Sequence, residues 1–320
     1  NIIFLIAFTL FNSCKYGSDN LFYTGASVNE RTKDGITFLE DNPVQEKLKY
    51  NVLIFSDTHF GVKTKTPPYQ KLYEYLDKIK ETSDYPAFAI ALGDLTDTAG
   101  VEEFEQYNVF IQTLEHKYNL KTYNIIGNHD CYLSGWDNWK KYCYPHTSFY
   151  KFETSNFSYY FLDTGTGTIG KNQLNHLKKV MQKDSKPKII CSHYPLYTST
   201  EFFCLSDTYE RNELIALFQK ENVKIVLSGH FHESETVDLG TFYQETNTSF
   251  TEYEKFGILK VDEKNRVLYF MGHGREAGNP YFGYLYKVGF NGRGLTLLTP
   301  DQGNHQITFS PSFDYFIDSY

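Results

Sequence analysis

The 320-residue sequence is short of basic residues: 31 Lys and Arg stand against 39 Asp and Glu, and the formal net charge is -8 at pH 7. Proteins that bind along a nucleic-acid backbone usually do so with clustered Lys and Arg, so this balance argues against nucleic acid as a partner. The chain also has no internal repeat and no low-complexity tract. Its hydrophobic content of 41% suffices for the core of one large α/β domain or two smaller ones.

The sequence lacks a hydrophobic run long enough to cross a bilayer comfortably. Its N-terminal stretch, NIIFLIAFTLFNSCK, is shorter than the ~20 residues of a membrane-spanning helix, but it has the length of the apolar core of a secretory signal. The end of this stretch, FNSC, resembles a bacterial lipobox, in which Cys14 would carry the lipid. An ordinary signal peptide or an uncleaved anchor is the alternative.

We therefore expect residues 1–14 to be a signal peptide of the lipoprotein type and residues 15–48 to be a polar spacer. The protein would be exported and held at a bacterial membrane, facing the periplasm or the cell exterior, and this lipid anchor would be its one link to the membrane. The folded domain would span residues 49–300, with residues 301–320 as a C-terminal tail.

Cysteine is scarce, and removing Cys14 leaves four: Cys131, Cys143, Cys191 and Cys204. An even number could pair in an oxidising compartment, and Cys131 and Cys143 are close enough in sequence for a bridge. Free, half-buried thiols are equally compatible with the sequence.

Six short apolar runs predict buried strands. Each run contains β-branched or aromatic residues and is followed by polar or glycine-containing sequence. They are NVLIF from Asn51, AFAIAL from Ala87, TYNII from Thr122, YYFLD from Tyr159, KIIC from Lys188 and VKIVL from Val223. Four segments between them repeat apolar residues with helical spacing, near residues 69–79, 104–118, 174–181 and 214–218. Ser206 or Asp207 could be the N-cap of the fourth helix.

This alternation of strands and helices implies a largely parallel sheet covered by helices. From about Gly240 the pattern changes to strand-like segments such as FGILKV and VLYFMG, without a convincing helix. That part should complete a second, mixed sheet.

Five polar turns directly follow predicted strands: SDTH at 56–59, GDLTD at 93–97, GNHD at 127–130, SHYP at 192–195 and GHFH at 229–232. The carboxyl ends of parallel strands lie along one edge of a sheet, so the five turns should converge there. One such turn alone is most often structural. Five at successive strand ends, which collect five of the ten histidines, are hard to ascribe to chance.

Seven potential metal ligands would meet at this edge: Asp57, His59, Asp94, Asn128, His193, His230 and His232. Imidazoles, carboxylates and an amide, without thiolates, suit Mn, Fe or Zn ions rather than a structural zinc site of the Cys type. Seven ligands serve two ions, roughly 3.5 to 4 Å apart, if one carboxylate bridges them. Glycines at 93, 127 and 229 fit the tight backbone that such turns need.

In order and type, these motifs resemble those of the calcineurin-like metallophosphoesterases: DxH, GDxxD, GNHD, an isolated His on a later strand and GHxH, across residues 52–232. The resemblance implies an α/β fold of four layers, an αββα sandwich with two mixed sheets flanked by helices and a dimetal site at the carboxyl-terminal ends of the strands. It also implies the ligand sets. The first metal would be held by Asp57, His59 and His232, the second by Asn128, His193 and His230, and Asp94 would bridge them.

The resemblance further assigns His129 to the leaving oxygen of the scissile ester, with Asp97 as the residue that orients it. A leaving alkoxide needs a proton or a positive partner, and a carboxylate bonded to the far ring nitrogen fixes the tautomer of the imidazole. The alternative is that His129 and Asp130 only support Asn128 and the turn that follows.

At two positions the chain departs from the motifs of well-defined subgroups of this family. Purple acid phosphatases place Tyr where this chain has Asp97, and protein Ser/Thr phosphatases follow that position with Arg, where this chain has Thr98. The segments QLNHLKK and HYPLY look more like the cyclic-nucleotide-phosphodiesterase-like and broad phosphodiesterase branch.

We therefore expect a phosphoester hydrolase that depends on two divalent ions (Mn, Fe or Zn), is most active on phosphodiesters, and uses a metal-bridging hydroxide with His129 assisting the leaving group. Its substrate would be a small-molecule or lipid phosphoester. The alternatives are a phosphomonoesterase of the acid phosphatase type and an exported binding protein without catalysis. A nuclease would need a basic groove, which the acidic balance disfavours. The sequence leaves the oligomeric state undetermined.

Overall fold

The structure, a computed structural model, describes residues 26–319 except 45–46, 64–66, 68, 291–292, 311–312 and 314–315. The predicted signal peptide (1–14) and the first part of the predicted spacer (15–25) lie outside the described residues. Among the residues described, there is no helix with the length and apolar character to cross a membrane.

The described part of the chain contains sixteen strands. In chain order they are β1 (Thr37–Phe38), β2 (Lys49–Phe55), β3 (Pro86–Ala91), β4 (Thr122–Asn124), β5 (Tyr150–Glu153), β6 (Ser158–Phe161), β7 (Lys188–Cys191), β8 (Val223–Ser228), β9 (Glu235–Asp238), β10 (Tyr243–Thr246), β11 (Gly257–Asp262), β12 (Val267–Gly272), β13 (Tyr284–Gly289), β14 (Thr296–Leu297), β15 (Gln306–Phe309) and β16 (Phe316–Ser319). Every apolar run predicted to be a strand contributes to one of them.

The strands form two seven-stranded mixed sheets and a hairpin. The first sheet has the order β1-β5-β6-β7-β8-β10-β9, the second has the order β14-β13-β12-β11-β2-β3-β4, and β15 pairs with β16. In the second sheet β2, β3 and β4 are parallel, with Phe55 opposite Ala91 and Ala91 opposite Asn124. In the first sheet β7 and β8 are parallel, with Cys191 opposite Leu227. This register brings the strand ends that precede the polar turns level with one another.

The helices, in chain order, are α1 (Val28–Arg31), α2 (Tyr69–Ile79), α3 (Val101–Tyr118), α4 (Gly135–Tyr142), α5 (Lys171–Met181), α6 (Thr208–Lys220) and α7 (Phe250–Tyr253). The four predicted helices are α2, α3, α5 and α6. Asp207 is the N-cap of α6, because its carboxylate accepts hydrogen bonds from Tyr209 N and Glu210 N.

Alternate residues of each strand face opposite layers, as the two-residue period of a strand requires. Val52 and Ile54 of β2 lie in the core between the two sheets, together with Phe161 of β6. Their neighbours Leu53 and Phe55 pack outward against the helices that cover the second sheet. A third apolar cluster lies between the first sheet and helices α5 and α6. The molecule is therefore the four-layer αββα sandwich that the sequence predicts.

Part of the predicted spacer belongs to the folded domain. Arg31 of α1 forms two 2.7 Å bonds with the carboxylate of Asp163, and both side chains are buried. Strand β1 then extends the first sheet by pairing in parallel with β5. The polar composition of this segment was misleading because an ion pair and a two-residue edge strand leave no apolar periodicity.

The C-terminal residues predicted to be a tail include the β15–β16 hairpin. Phe309 and Phe313 pack on Tyr269 of the second sheet, and His305 Nδ1 lies 2.7 Å from Asp318 Oδ2. The region after Gly240 also contains the short helix α7, where the sequence indicated none. Residues 131, 143, 191 and 204 are free, buried cysteines, so no bridge joins Cys131 to Cys143.

Candidate metal centre

The predicted ligands all lie just beyond the carboxyl ends of strands. Asp57 and His59 follow β2, Asp94 follows β3, Asn128 follows β4, His193 follows β7, and His230 and His232 follow β8. Five of these side chains are buried, and His230 and His232 are partly exposed. The two sheets thus bring together side chains that are up to 175 positions apart in the sequence.

The side chains form two groups. In the first, Nε2 of His232 lies 3.4 Å from Asp57 Oδ1 and 3.4 Å from His59 Nε2. In the second, Nε2 of His193 lies 3.2 Å from Asp94 Oδ2 and 3.0 Å from Asn128 Oδ1. Candidate ligand atoms of Asp57, His59 and His232, and likewise of Asp94, His193 and His230, lie within 4.8 Å of one another.

Asp94 lies between the two groups. Its Oδ2 atom is the one closest to His193 and is also 3.9 Å from His59 Nε2 in the first group. Its Oδ1 atom accepts a 2.8 Å hydrogen bond from the backbone N–H of His129. The hydrogen bond to Oδ1 therefore fixes the Asp94 carboxylate, and its Oδ2 atom faces both groups.

A hydrogen bond on the far side of the His193 ring determines which of its nitrogens faces the cluster. His193 Nδ1 donates to the carbonyl oxygen of Leu92 at 2.8 Å, so its Nε2 carries a lone pair unless the ring is charged. That lone pair faces two further acceptors, Asn128 Oδ1 and Asp94 Oδ2. Acceptors that converge without a donor repel one another unless a proton or a metal cation lies among them. The residues therefore fit a bound divalent ion.

The charges of the cluster perturb the pKa values of its acids and bases. Burial acts to raise the pKa of Asp94, but the positive charges of His193 and His129 outweigh it and hold this pKa well below its usual range. Burial acts to lower the pKa of His193, but the charge of Asp94 raises it to about 9. Positive charge is thus strongly favoured beside Asp94, and a divalent ion would displace the proton on His193.

The same balance holds in the first group. Burial works against both charged forms, but His232 lowers the pKa of Asp57, and Asp57 raises the pKa of His232 to about 10. His230 differs, because burial lowers its pKa to about 3 and the charge of His193 acts in the same direction. The ring of Tyr194 lies against His230, with centroids 3.8 Å apart. His230 is therefore a neutral imidazole, which is the form that binds a metal ion.

Five of the seven predicted ligands adopt left-handed backbone conformations, which non-glycine residues rarely do. They are Asp57 (φ 54°), His59 (φ 41°), Asp94 (φ 50°), His230 (φ 66°) and His232 (φ 65°). Each such residue costs roughly 1–2 kcal/mol, and this cost persists only where the surrounding structure enforces it. Strain of this kind clusters at functional sites, so its concentration here is an independent indication of function.

Two glycines allow the turns to approach this closely. A Cβ atom at Gly229 would collide with Ser56 Oγ and lie 2.8 Å from Asp57 Oδ2. A Cβ atom at Gly127 would collide with the backbone nitrogen and Oδ1 of Asp94. Positions 127 and 229, directly before Asn128 and His230, thus have no room for a side chain and require glycine.

His129 lies at the edge of the cluster, with 29% of its side chain exposed and its ring 4.6 Å from that of His59. Its Nδ1 donates a 2.6 Å hydrogen bond to the backbone carbonyl of Asp97. The Asp97 carboxylate is farther, 3.9 Å from His129 Nδ1, and lies 3.5 Å from His59 Nδ1. Asp97 therefore contacts His129 as expected, but the hydrogen bond is made by its backbone carbonyl oxygen and not by the carboxylate that the resemblance implied.

Asp130 has a structural role. Its buried carboxylate accepts hydrogen bonds of 2.9 Å from the backbone N–H groups of Leu95, Thr96 and Gly127. Burial and the nearby charge of Asp94 raise its pKa, while these backbone donors oppose the shift. Asp130 thus ties the turn after β4 to the turn after β3, in agreement with the structural reading of the sequence.

Two residues near the cluster were missed by sequence reasoning. Thr164 Oγ1 accepts 3.0 Å hydrogen bonds from the backbone N–H groups of His193 and Tyr194. Glu252 Oε2 lies 2.9 Å from His232 Nδ1. For Glu252 a signal exists, because the S-x-x-E pattern of Ser249 and Glu252 indicates the start of a helix.

The model of one protein family, the calcineurin-like phosphoesterases, matches residues 50–234, which is more than half of the chain. The chain therefore belongs to the calcineurin-like phosphoesterase family. A second model, that of the dipeptidyl peptidase IV N-terminal region, matches residues 177–320, which is less than half of the chain. This match overlaps the first, and within it α6 and β7 to β10 are integral parts of the sandwich.

Two solved structures share the fold. A dimetal phosphatase from Danio rerio is 13% identical, with a TM-score of 0.56 over 71% of this chain and 96% of its own. GAP50, the anchor in the inner membrane complex of Plasmodium, is 14% identical, with a TM-score of 0.50 over 74% of this chain and 88% of its own. At these identities the similarity establishes the fold. No curated protein matches the chain.

Proposed function

We propose that this protein is a phosphoester hydrolase that requires two divalent metal ions and acts preferentially on phosphodiesters. One observation carries the proposal: two groups of acceptor atoms share the carboxylate of Asp94, and each is arranged around a position where a cation would satisfy it. Membership of the calcineurin-like phosphoesterase family supports the reaction class.

Asp57, His59 and His232 would hold the first ion, and Asn128, His193 and His230 the second, with Asp94 shared. Oxygen and imidazole ligands of this kind suit Mn, Fe or Zn. When bound, a metal pair supplies Lewis acidity and a nucleophilic water for in-line attack on phosphorus. The protein contributes fixed ligand geometry and a dry surrounding, since five of the seven ligands are buried.

His129 is the residue that we assign to the leaving oxygen. Its Nδ1–H is already bonded to the carbonyl of Asp97, so Nε2 is the ring nitrogen from which a proton would pass to the leaving oxygen. The bond to Asp97 keeps the ring oriented while that proton is transferred. The partial exposure of the side chain allows a substrate to reach it.

The charge around the cluster favours a diester, which carries one negative charge, over a monoester, which carries up to two. The carboxylates of Asp97 and Glu252 border the cluster. Two arginines of the chain are held elsewhere in ion pairs, Arg31 with Asp163 and Arg211 with Glu201. A planar guanidinium is the usual clamp for a dianionic phosphate. The lipid anchor that the sequence predicts would give the enzyme access to lipid headgroup diesters as well as to small molecules.

The proposal is tested by assaying the metal-loaded protein on bis(p-nitrophenyl) phosphate and p-nitrophenyl phosphate with Mn, Fe and Zn in turn. We expect faster turnover of the diester. Asp94→Asn should lose activity and metal together, whereas His129→Ala should lose activity and keep its metal content, measured by elemental analysis. Preference for the monoester would favour the phosphatase alternative. Turnover of neither ester with any metal would favour a binding protein and refute the proposal.

A further inference from the structure

Residues 249–252, which we name the linking segment, connect the two turns that carry the first group of ligands. Ser249 N donates to the carbonyl oxygen of His232 at 2.9 Å, and Ser249 Oγ donates to the carbonyl oxygen of Asp57 at 3.1 Å. One buried serine therefore bonds to the backbone of a ligand after β2 and of a ligand after β8.

The next two residues extend this connection. Phe250 N donates to the carbonyl oxygen of Ser56 at 2.8 Å, and its ring is fully buried in the core beneath the helices. Thr251 Oγ1 donates to the carbonyl oxygen of Thr58 at 2.5 Å. The turn from Ser56 to Thr58 is thus bonded to the linking segment at three consecutive carbonyl groups. Two left-handed ligands, Asp57 and His232, are fixed by these bonds.

Glu252 ends the linking segment in an unusual way for its sequence pattern. Ser249 Oγ accepts a 3.1 Å hydrogen bond from Glu252 N, as in a capping box. In a capping box the glutamate side chain would return to the backbone N–H of the serine. Here the Ser249 N–H already donates to the backbone carbonyl oxygen of His232. The Glu252 carboxylate instead accepts a 2.9 Å hydrogen bond from Nδ1 of the His232 ring.

The bond between His232 and Glu252 determines which nitrogen of the His232 ring presents a lone pair to the first group. With Nδ1–H donating to Glu252, the lone pair of His232 Nε2 is directed to the side where Asp57 Oδ1 and His59 Nε2 lie, each 3.4 Å away. A carboxylate bonded in this way fixes the orientation of a ligating histidine and makes it more basic.

We propose that Glu252 is a positioning residue for the first metal site, and that the linking segment holds the turns after β2 and β8 at the distance this site requires. The inference rests on the proposed function, because it concerns the same two-ion cluster. Ser249, Phe250 and Thr251 are buried, whereas half of the Glu252 side chain is exposed. Removal of the carboxylate alone should therefore leave the fold intact.

The test compares Glu252→Ala, Glu252→Gln and the matched control Glu254→Ala in the full chain. Glu254 lies two residues farther on and forms an ion pair with Lys71, away from the ligands. Each purified, metal-stripped protein is titrated with Co²⁺ by calorimetry and by visible absorption, which reports the coordination of the bound ion. Thermal unfolding of the metal-free proteins provides the measure of folding.

We expect Glu252→Ala to bind one of two Co²⁺ ions 10- to 100-fold more weakly, with an altered absorption band and an unchanged metal-free melting temperature. Glu252→Gln should recover most of the affinity, because its amide oxygen accepts the same Nδ1–H bond. Glu254→Ala should match the wild type. If Glu252→Ala binds both Co²⁺ ions with the affinities of the wild type, and the wild type is an active phosphoesterase, the inference about Glu252 is wrong while the proposed function stands. A wild-type protein that binds no metal overturns both the inference and the proposed function.

Discussion

The buried ion pair between Arg31 and Asp163 offers a quantitative test of how the N-terminal segment is attached. The two side chains are 1% and 0% exposed and share two 2.7 Å bonds. Replacing Arg31 by Met keeps much of the side-chain volume but leaves the Asp163 carboxylate buried without its partner. Breaking a buried pair in this way costs about 3–5 kcal/mol, which for a domain of this size lowers Tm by roughly 10 °C.

The assay is urea and thermal unfolding of Arg31→Met, Asp163→Leu and the double variant, all in the same metal-free buffer. The double variant should lose less stability than the sum of the single variants, by about 2 kcal/mol or more, because it leaves no buried charge. The control is Lys33→Met, an exposed residue of the same segment, with an expected change within about 0.5 kcal/mol. If Arg31→Met unfolds like Lys33→Met, the segment is not held by this pair and our reasoning fails.

Two further predictions concern acid stability and packing at a strand end. Burial acts to raise the pKa of Asp184, but hydrogen bonds from Lys151 and Tyr160 help to outweigh it, and the pKa is lowered to about 2. The stabilisation by Asp184 is therefore fully present above about pH 4 and is lost as the pH falls through about 2. With allowance for solvent screening, Asp184→Asn should remove about 1–2 kcal/mol at pH 7 and flatten the fall in unfolding free energy between pH 4 and 2, and an unchanged acid slope would contradict this assignment. Gly229→Ala should cost about 1–3 kcal/mol in urea unfolding and weaken metal retention, because its Cβ would collide with Ser56. In the control Gly100→Ala the Cβ has only contacts of 3.6 Å or more, so metal retention should not change, and stability should fall by no more than about 1 kcal/mol because Gly100 is the N-cap of α3.

The strands, the helices and the converging turns could be predicted from the sequence because they depend on local patterns, whereas the four-layer arrangement was implied by the family resemblance. Each strand before a polar turn is a short apolar run, and each ligand follows within a few residues of its end. The edge at which parallel strands end is then fixed by topology, so Asp57 and His193 can be placed near each other without any contact between them being visible in the sequence.

What the sequence could not show are single contacts between distant residues. The Arg31–Asp163 pair joins positions 132 apart, and neither residue belongs to a periodic pattern. The carbonyl of Asp97, rather than its carboxylate, orients His129, and a backbone atom carries no sequence signal. The even number of cysteines was compatible with disulfide bridges and with free thiols alike. Only the folded positions of these residues show that they are free.

The unusual backbone of the cluster explains why such distant contacts are needed. Five left-handed ligands together cost about 5–10 kcal/mol, which is comparable to the whole stability of a typical domain. Hydrogen bonds that cross between turns offset this cost: those to the Asp130 carboxylate hold the turns after β3 and β4, and those of residues 249–252 hold the turns after β2 and β8. Because a cation among the acceptors would add the one interaction that these bonds do not supply, folding and metal binding should be coupled at this edge of the sandwich.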